Sequence, residues 1–339
     1  MMSKRLDGRD EPILEPDLPI IDAHHHLFER PGLRYLLDDY LADARLGHRI
    51  VASVYMEILA FARPHGPAHL RPLGEIEFAN GVAAMAASGY YGPCRVAAAI
   101  VGQADLRAGD RIGELLDQAL QRAPDRFRGI RMLTMDHPSP APFRHVTNKP
   151  PADALHHPEF RKGFAHLARR DLSFDAAVFS LQLADLADLA DAFPATPIIL
   201  NHNGMAMGLE MPASERLALL PPLRDGLRDL ARRPNVTCKI GGFGMPLWGF
   251  GLSEDDRSEP VGFGELATTW APYVDAAIDA FGPARCMMES NFPVDGRTCG
   301  FVPLWNALKH IVRAYSPTEK AALFHDTAAR VYRIEPVSA

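Results

Sequence analysis

Eight times along this 339-residue chain, a short apolar run is followed by a stretch with helical spacing. No other feature constrains the fold as much. Strands separated by helices run parallel, because the helix carries the chain back to the edge where the next strand starts. The runs are Pro19–Phe28, His48–Ile58, Arg95–Leu106, Phe127–Met135, Leu172–Phe179, Thr196–Gly204, Asn235–Gly244 and Arg285–Val294. Between them, Gly74–Ala87 has helical spacing. In RIGELLDQALQRAP, Ile112, Leu115, Leu116 and Leu120 fall on one face. Eight is the number of units that closes a (β/α)8 TIM-type barrel, here with a C-terminal helical extension, Val302–Tyr315 and Thr318–Tyr332. A doubly wound open sheet needs a Gly-rich phosphate turn after an early strand, and the sequence has none.

Residues 1–18 are polar, carry Pro12 and Pro16, and read as an N-terminal arm; 19–335 read as one barrel domain without linker or repeat. Apolar residues make up 47% of the chain, enough for a large core, and charged ones 23%. The formal charge of -6 comes without a basic stripe, which argues against nucleic acid as a partner. No uncharged apolar run reaches membrane-spanning length, and the opening MMSKRLDGRDEP lacks the apolar core of a secretory signal. Cys94, Cys238, Cys286 and Cys299 are scattered, as expected of reduced thiols in a cytoplasmic protein. The expected partner is a small-molecule substrate, and the Val302–Tyr315 helix offers a face for a homo-oligomer contact.

In such barrels the working residues lie where strands end. The first run ends IIDAHHH; strict alternation puts Asp22, His24 and His26 on one face and His25 on the other. Two imidazoles so placed suit a divalent metal or a substrate oxygen. Glu57 follows the second run, and Arg131 inside the fourth implies an anion nearby. Asp175 lies near the start of the fifth and reads as structural. His202 ends the sixth, and Lys239 lies in the seventh, ahead of Gly241-Gly242. Glu289 and Asn291 share a face of the eighth by period two. Phe243, Met245, Trp248 and Phe250 form a Gly-rich loop that suits an aromatic lid.

The motifs IIDAHHH, ILNHNG, CKIGG, MMESNFPVDG, LWNALKHI and TAARVY, in this order, resemble the amidohydrolase superfamily. The resemblance is narrower to the amidohydrolase-related branch of sugar-acid lactonases and pyrone-dicarboxylate lactonase. It runs from about Pro19 to Ile334, and implies a (β/α)8 barrel hydrolysing at the C-terminal strand ends, with His24, His26 and His202 in the active site. The family writes Ser-Asp-Trp-Pro in the eighth strand, with the Asp as base. This chain writes Ser290-Asn291-Phe292-Pro293, and an amide takes no proton from water. Glu289, Asp295 and Glu57 are the replacement carboxylates.

Two mechanisms follow. One places a zinc-like ion on His24 and His26 with a carboxylate. The other holds no metal tightly: His24, His26, His202 and Lys239 polarise the carbonyl, Asn291 stands at the same strand end, and Glu289 or Asp295 activates water. Glu57, Arg131, Trp248 and Asp295 are expected to meet substrate. The expected reaction is opening of a lactone to a hydroxy acid. The alternatives are a metal-dependent non-oxidative decarboxylase, or a non-catalytic binding barrel that lost its base at Asn291.

Overall fold

The computed structural model describes residues 11–146, 149–252 and 260–335; residues 1–10 of the expected arm lie outside the described residues. All eight expected strands form, each shorter than its apolar run because the polar ends leave the ladder. They are β1 (Ile20–His25), β2 (Ile50–Met56), β3 (Arg95–Gln103), β4 (Phe127–Leu133), β5 (Ser173–Ala177), β6 (Ile198–Leu200), β7 (Val236–Ile240) and β8 (Cys286–Met288). They pair in parallel in chain order, with the intervening helices packed outside. The (β/α)8 barrel is therefore the observed fold.

The last seam, between β8 and β1, closes through few contacts. His25 and Phe292 form a single parallel bridge, and His26 N donates to Phe292 O at 2.8 Å. Asp22 completes it with its carboxylate, which accepts from Ser290 N (2.8 Å), Ser290 Oγ (2.6 Å) and Tyr40 OH (3.0 Å). Burial pushes the Asp22 carboxyl up to about 6 despite these donors.

Side chains alternate as the pleat demands. Ile21, Ala23, Ala52, Val54, Met56, Val101, Ile199 and Met287 fill the barrel interior. Phe127, Phe174, Ile198, Val236 and Cys286 face the helices. The chain's end, Ala328, Tyr332 and Ile334, packs into the interior cluster. It enters from the N-terminal end of the strands: Arg95 and Arg128, near the starts of β3 and β4, donate to the carbonyls of Glu335 (2.7 Å) and Tyr332 (3.0 Å). The floor is thus sealed, which leaves the C-terminal mouth for chemistry. Sequence periodicity did not reveal the hairpin Phe28–Arg30/Leu33–Tyr35 or the helix Leu37–Ala44. Three-residue strands are too short to show a period. Among the described residues, no helix is long and apolar enough to cross a membrane.

Candidate active site

The first strand departs from strict alternation at the site. Asp22 pairs with Ser53 but His25 with Tyr55, so three steps on β1 face two on β2. One extra residue is a bulge, and a bulge re-aims side chains. Asp22 points outward to the seam, away from the face it was expected to share with His24 and His26. His25 also points outward, its Nε2 2.9 Å from Ser53 Oγ and its ring 4.3 Å from that of Tyr40. His24 and His26 both turn into the mouth.

There they meet Glu289, which follows Met287 on the inward face of β8. Glu289 Oε1 lies 2.5 Å from His202 Nδ1, and its Oε2 lies 3.0 Å from His24 Nδ1. The rings of His24 and His202 are 4.6 Å apart. His26 stands on the other edge of His24, Nε2 to Nε2 at 3.2 Å. Its Nδ1 donates to the Met56 carbonyl at 2.9 Å, which leaves Nε2 as the acceptor facing His24 Nε2. Burial, with cationic neighbours adding to it, holds His24 and His26 well below the ordinary imidazole range. At neutral pH both rings are uncharged and offer lone pairs.

Two glycines make room for this cluster. A Cβ at Gly241 would come within 2.4 Å of Glu289 Cγ, and one at Gly242, whose φ is +67°, within 2.4 Å of His202 Nδ1. His202 itself has φ 52°, a left-handed conformation uncommon outside glycine and often found at working sites.

The donor set fits a divalent ion. His24, His202 and Glu289 each offer a ligand atom within 4.8 Å of one another, and all three are buried. His24 Nδ1 and Glu289 Oε2 are 3.0 Å apart, yet neither has a hydrogen-bond partner. Two donor atoms so close and so misaligned suit shared ligation better than a hydrogen bond. Two imidazoles and one carboxylate are also the ligand count of a hydrolytic zinc centre. The group differs from the His24/His26 pair expected from spacing, because His26 faces the opposite ring edge from Glu289.

The remaining expected residues fall into three places. Arg131 and Glu57 form a buried pair beside the cluster: Arg131 Nε donates to Glu57 Oε1 at 2.6 Å, its Nη2 to the Glu57 carbonyl, and its Nη1 reaches 3.4 Å from His24 Nε2. Lys239 lies lower. Its ammonium is 2.8 Å from Asp175 Oδ1, which also accepts from Asn201 Nδ2 (3.0 Å) and Tyr332 OH (2.8 Å). An ammonium held there acts on the imidazoles through its field; the structure does not place it at a carbonyl-binding position.

Asn291 and Asp295 form a separate unit. Asn291 has φ 52°, so the period-two phase with Glu289 breaks, and its amide donates to Asp295 Oδ1 at 2.7 Å. Asp295 Oδ2 accepts from Gly244 N at 2.9 Å, which ties the loop after β7 to the loop after β8. Burial pushes the Asp295 carboxyl up to about 8. Trp248 is buried and does not line the mouth as an aromatic lid would; its Nε1 donates to the Gly242 carbonyl, and its ring stacks with Phe250. Met245 and Phe250 do line a cleft of about 420 Å³ above it, with His145.

Sequence reasoning missed Glu75, which organises the turn carrying Glu57. Its Oε1 accepts from Tyr55 OH (2.9 Å), Ile58 N (2.8 Å) and Ala60 N (3.4 Å). A lone acid in an otherwise apolar helical face, GEIEFANGVAAMAA, was the available signal.

With fold and cluster in place, comparison with known proteins defines the class. The amidohydrolase family profile matches residues 21–334, and the chain belongs to that family. The uncharacterized protein y4mH of Sinorhizobium fredii is 35% identical over 340 residues, covering 94% of this chain and 99% of its own. L-fucono-1,5-lactonase of Burkholderia multivorans is 29% identical over 249 residues, 71% of this chain and 74% of its own. A crystal structure of a Burkholderia multivorans amidohydrolase with bound zinc superposes with a TM-score of 0.66 at 25% identity, covering 93% of this chain and 99% of that one. The family expected from the motifs is borne out, and with it the general class of hydrolase.

Proposed function

We propose that this protein opens a lactone to a hydroxy acid at the C-terminal mouth of the barrel. One observation carries the reading: Glu289, on the inward face of β8, is held between His24 and His202. It supplies the carboxylate that Asn291 lacks, which removes the ground for a barrel without a base. It also removes the strand-eight argument for any role of Asn291 other than tying down Asp295.

In this reading Glu289 takes the proton of the attacking water. His202, bonded to it through Nδ1, orients the carboxylate and shares the charge. Neutral His26 and His24 face the reacting carbonyl, and Arg131, already paired with Glu57, stands beside His24 Nε2. When a divalent ion is bound, His24, His202 and Glu289 would hold it; it would lower the pKa of water and polarise the carbonyl, and Glu289, then a ligand, would no longer serve as the base. An alkoxide leaves an ester more readily than an amine leaves an amide. The L-fucono-1,5-lactonase relative and the zinc in the related crystal structure support this choice of bond and metal.

A pH-indicator screen of lactones, open-chain esters and amides, run on the purified protein with and without a chelator, tests it. At least one lactone should be opened with a higher kcat/KM than any open-chain ester or amide. Turnover of amides with silence on every lactone overturns the proposal.

A further inference from the structure

We infer that Glu57 is a specificity-determining residue that selects neutral, hydroxyl-bearing lactones over lactones carrying a carboxylate. The inference rests on the lactone-opening reading and deepens it.

The carboxylate of Glu57 is fully buried and half used. Oε1 holds Arg131, whereas Oε2 has no hydrogen-bond partner. Glu57 also lines a cleft of about 160 Å³ together with Leu59, Gln103, Asp105 and Met132. That space suits one small ring, below the roughly 300–1,000 Å³ of drug-sized pockets. A buried carboxylate oxygen without a donor is costly, and a ligand hydroxyl would supply the donor. Arg131 links this cleft to the cluster: the guanidinium that grips Glu57 also reaches to 3.4 Å from His24 Nε2.

Two of the three cations near the cleft are already committed. Arg131 is neutralised by Glu57, and Arg107 forms a two-pronged pair with Asp105, Nε at 3.0 Å and Nη2 at 2.8 Å. Lys149 stands exposed at the rim with its ammonium 5.4 Å from the centre of the Phe143 ring, and a solvated ammonium adds little to anion binding. A substrate carboxylate entering here would meet the Glu57 side without a free buried cation. A polyhydroxylated ring finds acceptors at Glu57, Gln103 and Asp105, and apolar C–H surface at Leu59 and Met132. The position of Glu57 is over-determined: Glu75 fixes the turn that follows it, in which Leu59 and Phe61 adopt φ of 57° and 52°.

The test compares kcat/KM for a neutral aldono-1,5-lactone with that for a lactone of the same ring bearing a carboxylate, in the wild type and in Glu57→Gln. The wild type should favour the neutral lactone at least tenfold. The variant, which frees Arg131, should shift that ratio toward the carboxylate by about a hundredfold. A wild-type preference for the carboxylate, or a ratio moved less than twofold by the substitution, overturns the inference. Calorimetry with a non-hydrolysable 1,5-anhydroalditol and its carboxylate counterpart reads binding without turnover, on wild-type protein that needs no variant to fold. Tighter binding of the anhydroalditol by a protein that opens no lactone sinks the hydrolase reading and keeps the Glu57 assignment. Lactone opening with equal binding of both ligands does the reverse.

Discussion

Among the described residues, two buried pairs of a carboxylate with an arginine or lysine stand in the barrel interior, Glu57–Arg131 at the mouth and Asp175–Lys239 nearer the floor. Each joins a carboxylate to a cation at hydrogen-bond distance, and each leaves one carboxylate oxygen without a hydrogen-bond partner. They differ in what surrounds the pair. Glu57 lines a cleft and shares its guanidinium with His24, whereas Asp175 is closed in by Tyr332, Asn201 and the plugging C-terminal segment. A buried pair serves recognition when one of its atoms is left over toward a cavity. Sealed from below, the same chemistry is scaffolding that sets the local field.

The sharpest way to break this comparison is to unpair the lower site. Lys239→Met leaves Asp175 charged and alone, and urea denaturation should register about 3–5 kcal/mol of lost stability. The double variant Lys239→Met/Asp175→Leu should recover most of it, since both charges then leave together. If the single variant unfolds at the wild-type urea midpoint, the lower pair is not a paired buried charge.

A second prediction concerns the space made for the Glu289 carboxylate. Gly241→Ala drives a Cβ to 2.4 Å from Glu289 Cγ. Overpacking of that kind costs about 1–3 kcal/mol, and displacing Glu289 should lower kcat by ten- to a hundredfold. Unaltered kcat would mean that Glu289 does not work from this position. Tyr332→Phe removes one of the two hydrogen bonds to Asp175 and should cost about 1 kcal/mol with kcat unchanged. A fall in kcat as large as that of Gly241→Ala would bring the floor into the catalytic machinery.

A further prediction lies outside both pairs and concerns pH. Burial, reinforced by the neighbouring Lys309 charge, lowers His48 to about 3. Its folded pKa is below the ordinary 6.5, so the unfolded chain binds the extra proton. The stabilising contribution is present above pH 6.5 and declines as pH falls toward 3, by up to about 1.4 kcal/mol per unit. In His48→Gln the acid side of the stability profile should be shallower; an unchanged slope would exclude His48 as a source of acid sensitivity.

These two regions also show how far the sequence could be read. Eight strand–helix alternations were enough for the barrel, and strand-end phase brought His24, His26, His202 and Glu289 to one mouth. The bulge after Asp22 was hidden, because one inserted residue leaves the apolar pattern intact while changing which side chains turn inward. The partner of Arg131 was hidden too: Glu57 precedes it by 74 positions, and no local pattern encodes that meeting. Asn291 misled for a backbone reason, since a left-handed φ just beyond the last ladder residue ends the period-two rule. Trp248 misled because an aromatic loop reads alike whether it covers a ligand or packs on a helix.

The central claim is that Glu289, held by His24 and His202, is the working carboxylate of a lactone-opening site. Glu289→Gln keeps the volume and removes the charge, and its kcat on the best lactone of the screen is the most direct test. A loss of at least a thousandfold, with the circular dichroism spectrum and bound-metal content measured on the same sample, is the predicted result. A folded Glu289→Gln protein that turns over within threefold of wild type would contradict the account.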